Sequence, residues 1–365
     1  MQLTEISANE RFRLIAEFEP TSESFLAWPE RRDNWRDGGK PAQVMFRKLA
    51  ELIAQYQPVT MLVSREQYQN AYYQIGQKTK VVEMSFDDVW LKDTGPFYIT
   101  NGREIKAVDF KFNAWGGLLD GLYFPWDQDD LVAQKVLDLQ AIDYYKAELI
   151  LEGCAILVDG EGTMIATEEV VLSEGRNINL DKNKIEKIFG HYFGIEKVIW
   201  LQDGYFMDET GGDIDNMVNF IAPGEIVLTW TDDRTDPQFE ISQRAYDILS
   251  SATDAKGRSF RIHKMQMPAP LYLTDEEAHG VDPINGRLPR NAGRRLTATY
   301  VNYITLTDVI IMPWFNDPQD AVAQEELQRL YPSRQILTIP VREFLNGGGG
   351  LHTLVINTPD LPKDR

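Results

Sequence analysis

Only one cysteine, Cys154, occurs in the 365 residues. The chain can form no internal disulfide, which fits a reducing cytoplasm. Long apolar runs are also missing: stretches such as VIIMPW (309–314) fall far short of the roughly 18 residues that a membrane span requires. The opening residues MQLTEISANERFRLIAEFEP carry no basic cap followed by an apolar stretch, so they do not read as a secretory signal. Positive charge is scarce. Fifty-six acidic residues against 37 basic ones leave a formal charge of −19, which argues against nucleic acid or an anionic membrane as partner and favours a small cation. The same acidity also serves solubility. No low-complexity linker divides the chain, so residues 1–365 are expected to form one domain. No GxxxxGK[ST] phosphate loop and no GxSxG nucleophile elbow occurs.

What is present is a repeated unit. Amphipathic helices are predicted near 42–57, 129–140, 181–193, 237–252 and 320–331, each followed after a turn by a β-rich segment. Those segments are VTMLV (59–63), ELIL (148–151), KVIWL (197–201), FRIHKM (260–265) and QILTIPV (335–341). In the first helix Phe46, Leu49, Ala50 and Ile53 share the face that would pack on a sheet. The last follows Asp317-Pro318, a stop-and-start signal. Further strand candidates are KVVEMSF (80–86), IKAVDFKF (105–112), TMIATEEVV (163–171) and VNFIAPGEIVLTW (218–230), the last a hairpin through Pro223-Gly224. Several strands per helix point to an α/β class with helices outside a β-rich centre, and spacing alone leaves closed propeller and open sheet both standing.

Four stretches carry candidate chemistry: VWLKDTGP (89–96), FNAWGG (112–117), DETGGDIDN (208–216) and GGGGLHT (347–353). Each joins glycine to acidic, aromatic or His/Thr residues where a strand ends. The run of four glycines marks a tight turn or a close approach at the rim of a site. Carboxylates beside indoles suit a planar organic cation, since a guanidinium pairs bidentately with an acid and stacks on an aromatic face. Each residue also has a plain structural reading. Asp93 suits a turn, Asp208, Asp213 and Asp215 suit a solvated loop or helix cap, and Trp90 and Trp115 suit the core. Asp213 and Asp215 offer two oxygens, but the trailing glutamate of a calcium loop is missing, so no metal is assigned. His191 and His263 read as surface or packing residues.

In this order, the four stretches resemble the agmatine deiminase family of the guanidino-group-modifying superfamily. The likeness extends through EFEPTSESFLAWPERRDNWRDGGKPAQ (17–43), FNAWGGLLDGLYFPWDQDDLVAQKV (112–136), LEGCAILVDGEGTMIATEE (151–169), VIWLQDG (198–204) and APGEIVLTWTDD (222–233). It implies a five-bladed α/β propeller of ββαβ-type units around a central channel, usually as a homo-oligomer. The implied reaction is hydrolysis of agmatine to carbamoylputrescine and ammonia, without metal or organic cofactor. In it a cysteine thiolate attacks the guanidinium carbon, a histidine moves protons and two carboxylates grip the guanidinium nitrogens.

Carried over position by position, the resemblance makes Asp93 and Asp215 the guanidinium-binding acids. Trp90, Trp115, Glu152, Gly348 and Gly349 complete the binding pocket. The reactive positions depart from the family. Thr353 stands in the nucleophile's place and Asp213 in the catalytic histidine's. Gly350 replaces an asparagine, Leu157 a histidine and Lys92 an arginine. Crowding of Asp93, Asp213 and Asp215 is expected to raise the pKa of one of them. Strand alternation puts Cys154 on the face of Glu152, and its reading as a small residue filling a glycine's place is preferred to that of a displaced nucleophile. The chain is therefore expected to bind a guanidinium or amine ligand with catalysis absent or very slow. The alternatives are an amidine hydrolase using acid-activated water and a non-enzymatic partner subunit of an active relative.

Overall fold

Phe46, Leu49, Ala50 and Ile53 are completely buried, and they show how each helix joins a sheet here. One face of Lys40–Ile53 lies against the strands Thr21–Ala27 and Val59–Val63. Full burial of such a side chain stabilises by about 1.5–3 kcal/mol. In this computed structural model, which describes residues 1–4, 6, 10–284 and 288–360, that unit occurs five times. The chain forms a five-bladed α/β propeller.

Each blade pairs two antiparallel strands, crosses over through a helix and adds a third strand parallel to the second. In the blade spanning 97–150, Phe97–Thr100 pairs antiparallel with Ile105–Lys111, the helix Val132–Gln140 follows, and Tyr144–Ile150 pairs parallel. The next is Ile156–Val158, Thr163–Thr167, helix Lys182–Phe193 and Lys197–Leu201. Then come Val218–Ala222, Glu225–Trp230, helix Pro237–Ser251 and Arg261–Gln266. The fourth is Ile304–Thr305, Val309–Trp314, helix Gln319–Leu330 and Gln335–Pro340. The fifth blade is assembled from both ends of the chain: Ile356–Pro359 pairs antiparallel with Thr21–Ala27, which runs parallel to Val59–Val63. Lys80–Glu83 extends that sheet.

The five predicted helices all form, as does the hairpin through Pro223-Gly224. Two expectations need correction. TMIATEEVV is a strand only to Thr167, and Glu168–Val171 is a helical turn in which Leu172 N–H bonds back to the Glu168 carbonyl. Residues 152–155 are not strand either: Gly153–Ala155 form a 3₁₀ turn, so strand alternation does not govern where Cys154 points. Among the described residues no helix is long and apolar enough to cross a membrane.

A feature shared by the blades places the site. The segment entering the first strand of a blade is a short turn at the centre of the ring: Leu91–Thr94, Gly153–Ala155, Ile214–Asn216 and His352–Leu354. Residues 299–303 fill the corresponding place before Ile304. Asp93, Cys154, Asp215, Asn302 and Thr353 thus converge from five blades.

Candidate active site

The central turns form the floor of a cleft at the centre of the ring. Its wall includes Trp90, Asp93, Trp115, Asp208, Glu209, Asp213, Asp215, Arg290, the glycines 347–350 and Thr353. A second cavity, more apolar than polar in its lining, has Glu17, Lys92 and His352 among the residues around it. Of the acidic residues singled out from sequence, Asp93, Asp208, Asp213 and Asp215 line the first and Glu152 does not.

The glycine run is explained by what it touches. A Cβ on Gly347 would enter the Trp35 ring, one on Gly349 the Trp90 ring, and one on Gly350 the Asn302 carboxamide. Gly348 has φ +109°, and its Cβ would lie 2.6 Å from both an Arg290 nitrogen and a Glu209 oxygen. The four residues therefore let the backbone lie directly on two stacked indoles, Trp35 and Trp90, whose centroids are 5.4 Å apart.

Asp93 and Trp115 are locked together, since the indole Nε1 donates to Asp93 Oδ2 at 3.1 Å. The other oxygen, Oδ1, accepts the Cys154 backbone N–H at 2.9 Å. Burial, followed by the charge of Asp215, pushes the Asp93 pKa up to about 7 against the bonds from Cys154. On the opposite wall Asp208 organises the loop: one carboxylate oxygen accepts the Asp213 N–H at 2.9 Å and the Thr210 hydroxyl at 3.1 Å. Asp213 Oδ2 accepts the same hydroxyl at 2.7 Å. Burial and then the charge of Asp93 raise the Asp213 pKa well above its ordinary value. The expectation that crowding would protonate one acid thus has its physical basis, with burial the larger cause.

Sequence reasoning missed the group that ties the floor together. His352 Nδ1 lies 2.9 Å from Asp215 Oδ2, and Nε2 lies 2.6 Å from Glu17 Oε2. Burial opposes a charged imidazole, but the charge of Glu17 and the bonds to Asp215 and Glu17 outweigh it and raise the pKa to about 9. Its two carboxylate neighbours thus favour the charged imidazolium. Lys92 pairs with Glu17 from the other side, and these two cations hold the Glu17 carboxyl well below its usual range despite burial. The only signal for His352 in the sequence was its neighbourhood, one residue from Thr353.

Cys154 is fully buried, with its Sγ 3.6 Å from the Thr353 hydroxyl and 3.9 Å from His352 Nδ1. It faces the centre of the site, even though no strand puts it there. Burial and the charges of Asp215, Asp93 and Asp213 push its thiol pKa well above the ordinary value, which keeps the sulfur protonated and a poor nucleophile. Glu152 lies behind the cleft wall. Its Oε1 accepts Arg176 Nε at 2.6 Å, and Arg176 also donates to the Thr210 carbonyl at 2.8 Å. The pair braces the turns that carry Cys154 and Asp213. Leu157 lines the second cavity, and His191 and His263 lie far from the site in sequence and in the fold's outer elements.

The profile of the Porphyromonas-type peptidyl-arginine deiminase family matches residues 13–359. A Listeria monocytogenes protein named "Putative agmatine deiminase 2" is 52% identical over 361 residues, 98% of each chain. This chain belongs to the agmatine deiminase family. The solved agmatine deiminase of Enterococcus faecalis, described as catalysing its reaction, is 43% identical and superposes with a TM-score of 0.93 over 96% of both chains. A more distant family structure is the C. jejuni enzyme in a Cys→Ser form with substrate bound. It is 25% identical, with a TM-score of 0.82 over 96% of this chain and 97% of that one.

On the cleft lining, unpaired buried acceptors outnumber unpaired buried donors, of which Arg290 Nε is the one among the described residues. Asp213 Oδ1, Asp215 Oδ1 and Glu209 Oε2 are buried without a hydrogen-bond partner among the described residues. All three residues line the cleft. Buried polar atoms are almost always satisfied, and three orphaned acceptors on one wall leave room for a ligand that brings donors and positive charge.

Proposed function

We propose that this member of the agmatine deiminase family binds a small guanidinium or amine cation of the agmatine class in the acid-lined cleft, and turns it over very slowly or not at all. The observation that carries this reading is the set of orphaned carboxylate oxygens on Asp213, Asp215 and Glu209. A guanidinium supplies five N–H donors in one plane and one positive charge, which suits the Asp213 and Asp215 oxygens, while Glu209 already pairs with Arg290 and Arg294 through its other oxygen. Asp93 and Asp215 flank the floor, and Trp90 and Trp115 offer aromatic surface beside them.

The case against rapid turnover is chemical. A thiol near its ordinary pKa of about 8.5 keeps a few per cent thiolate at neutral pH and attacks well, while a threonine hydroxyl does not. Thr353 occupies the position that the family resemblance gives to the nucleophile, and Asp213 that of the proton-handling histidine. Losing one member of such a unit commonly costs factors of about 10⁴ to 10⁶ in rate, and the second loss adds little. The C. jejuni structure, in which a serine variant retains substrate, illustrates that a hydroxyl-for-thiol change is compatible with occupancy of a family site.

Calorimetry with agmatine and an ammonia-release assay on the same preparation test the two halves. Saturable binding with ammonia release at background is the expected pair of results. Absence of binding at millimolar agmatine removes the cation-site reading, and turnover at rates typical of cysteine-bearing relatives removes the claim about chemistry. The double substitution Thr353→Cys with Asp213→His is expected to gain carbamoylputrescine production. If it binds agmatine but gains none, residues beyond these two have remodelled the site.

A further inference from the structure

Cys154, His352 and Asp215 come from three different blades, and one ligand atom of each lies within 4.8 Å of the other two. We infer that these three residues form a binding site for a borderline-soft divalent cation of the Zn²⁺ class at the floor of the cleft. The inference goes beyond the reading of the cleft as an organic-cation site and does not depend on it.

The donor set is a thiol sulfur, an imidazole nitrogen and a carboxylate oxygen. Mixed S, N and O ligation suits zinc and its neighbours, whereas calcium and magnesium prefer oxygen alone. The spacing is close to what such an ion requires. With zinc about 2.3 Å from sulfur and about 2.0–2.2 Å from nitrogen and oxygen, a tetrahedron separates S from N by about 3.5 Å and N from O by about 3.3 Å. Cys154 Sγ is 3.9 Å from His352 Nδ1, and Nδ1 is 2.9 Å from Asp215 Oδ2. Adjustments of about half an ångström bring the S–N and N–O pairs into range, and the sulfur and the carboxylate oxygen lie within 4.8 Å of one another. The Thr353 hydroxyl lies 3.6 Å from Sγ, and Thr353 and Asp215 both line the cleft.

A surrounding shell is already in place. Metal-binding imidazoles usually give their other nitrogen to a carboxylate, and His352 Nε2 meets Glu17 Oε2 at 2.6 Å. Asp215 Oδ2 is oriented by Asn302 Nδ2 at 2.8 Å. Asp215, 1% exposed, also has the partnerless Oδ1, an unmet demand for positive charge at the site itself. On entry the ion displaces one proton from Sγ and one from Nδ1, both passing to solvent. It also engages the Asp215 carboxylate that an organic cation would use, so the two occupants compete.

Because Cys154 is the only cysteine, thiol chemistry reads this site alone. Titrating the apo-protein with Co²⁺ should give a thiolate-to-cobalt charge-transfer band that saturates at one ion per chain, and the ion should slow modification of the thiol by a maleimide at least tenfold. Cys154→Ala should abolish the band. Glu17→Gln should keep it and weaken binding about 10- to 100-fold, as loss of an outer partner does. No band and no thiol protection at millimolar Co²⁺ overturns the inference, as does saturable binding unchanged in Cys154→Ala. If Cys154→Ala does not fold, thiol protection in the unmodified chain still decides the matter.

Discussion

Agmatine affinity is expected to fall as pH is lowered through neutrality, because the cation competes with protons for the same oxygens. Asp93 without ligand holds its proton up to about pH 7. Only the ionised acid pairs with a guanidinium, so the competent fraction is about one in eleven at pH 6 and about ten in eleven at pH 8. Affinity should therefore weaken about tenfold between those values, about 1.4 kcal/mol. Asp213, raised further, steepens the slope and carries it above pH 8 if its ionisation is also required. Asp208, with a pKa near 6, adds to the loss only at the acid end.

The same protons bear on folding, and the sign can be worked out. Asp93 has its folded pKa raised from 3.8, so its stabilising contribution is complete below about pH 4 and is lost as pH climbs through 7. His352, raised from 6.5 to about 9, contributes fully below about pH 6.5 and loses its contribution as pH rises through 9. Ligand-free protein should melt lower at alkaline than at neutral pH, and agmatine should narrow the gap. Calorimetric titrations at constant ionic strength from about pH 6 to about pH 8.5, with Asp93→Asn as control, provide the measurement. Affinity that is flat, or that improves toward acid, would refute the assignment of Asp93 as the titrating contact.

Two further outcomes concern the scaffold. Gly349→Ala drives a methyl into the Trp90 ring and should cost about 1–3 kcal/mol, visible as a lower denaturation midpoint; an unchanged midpoint would show that the glycine wall has slack. Glu152→Ala leaves the buried Arg176 without its carboxylate and should cost about 3–5 kcal/mol in denaturant unfolding, with Glu152→Gln recovering part. A loss below about 1 kcal/mol would mean that the Thr210 carbonyl and the Ser173 hydroxyl oxygen, which accepts from Arg176 at 3.2 Å, suffice for Arg176.

The repeating helix-and-strand units were legible because each buries one stripe against one sheet, a relation confined to neighbouring residues. Asp93, Asp213, Asp215, Trp90, Trp115 and the glycines were legible as a resemblance to family motifs, and all of them line one cleft. What could not be read was the meeting of blades. Nothing local to position 17 announces a carboxylate that orients His352 more than 300 residues later. Arg176 gives no sign that it will pair with Glu152 across a loop. For Cys154 the expected alternation assumed a strand where Gly153 begins a turn, and it is that turn that aims the sulfur at Thr353. Glu168–Val171 departs from its strand reading for a related reason: apolar Val170 and Val171 look the same to either period over so short a run.

The closing blade carries an implication for biogenesis. Because Ile356–Pro359 must zip onto Thr21–Ala27, ribosomal synthesis delivers the aspartates of the pocket well before the segment that walls it. Until that late pairing occurs, the nascent polypeptide holds a cluster of unshielded acids with no indole-backed glycine surface against them. The pocket is therefore complete only once the ring has shut.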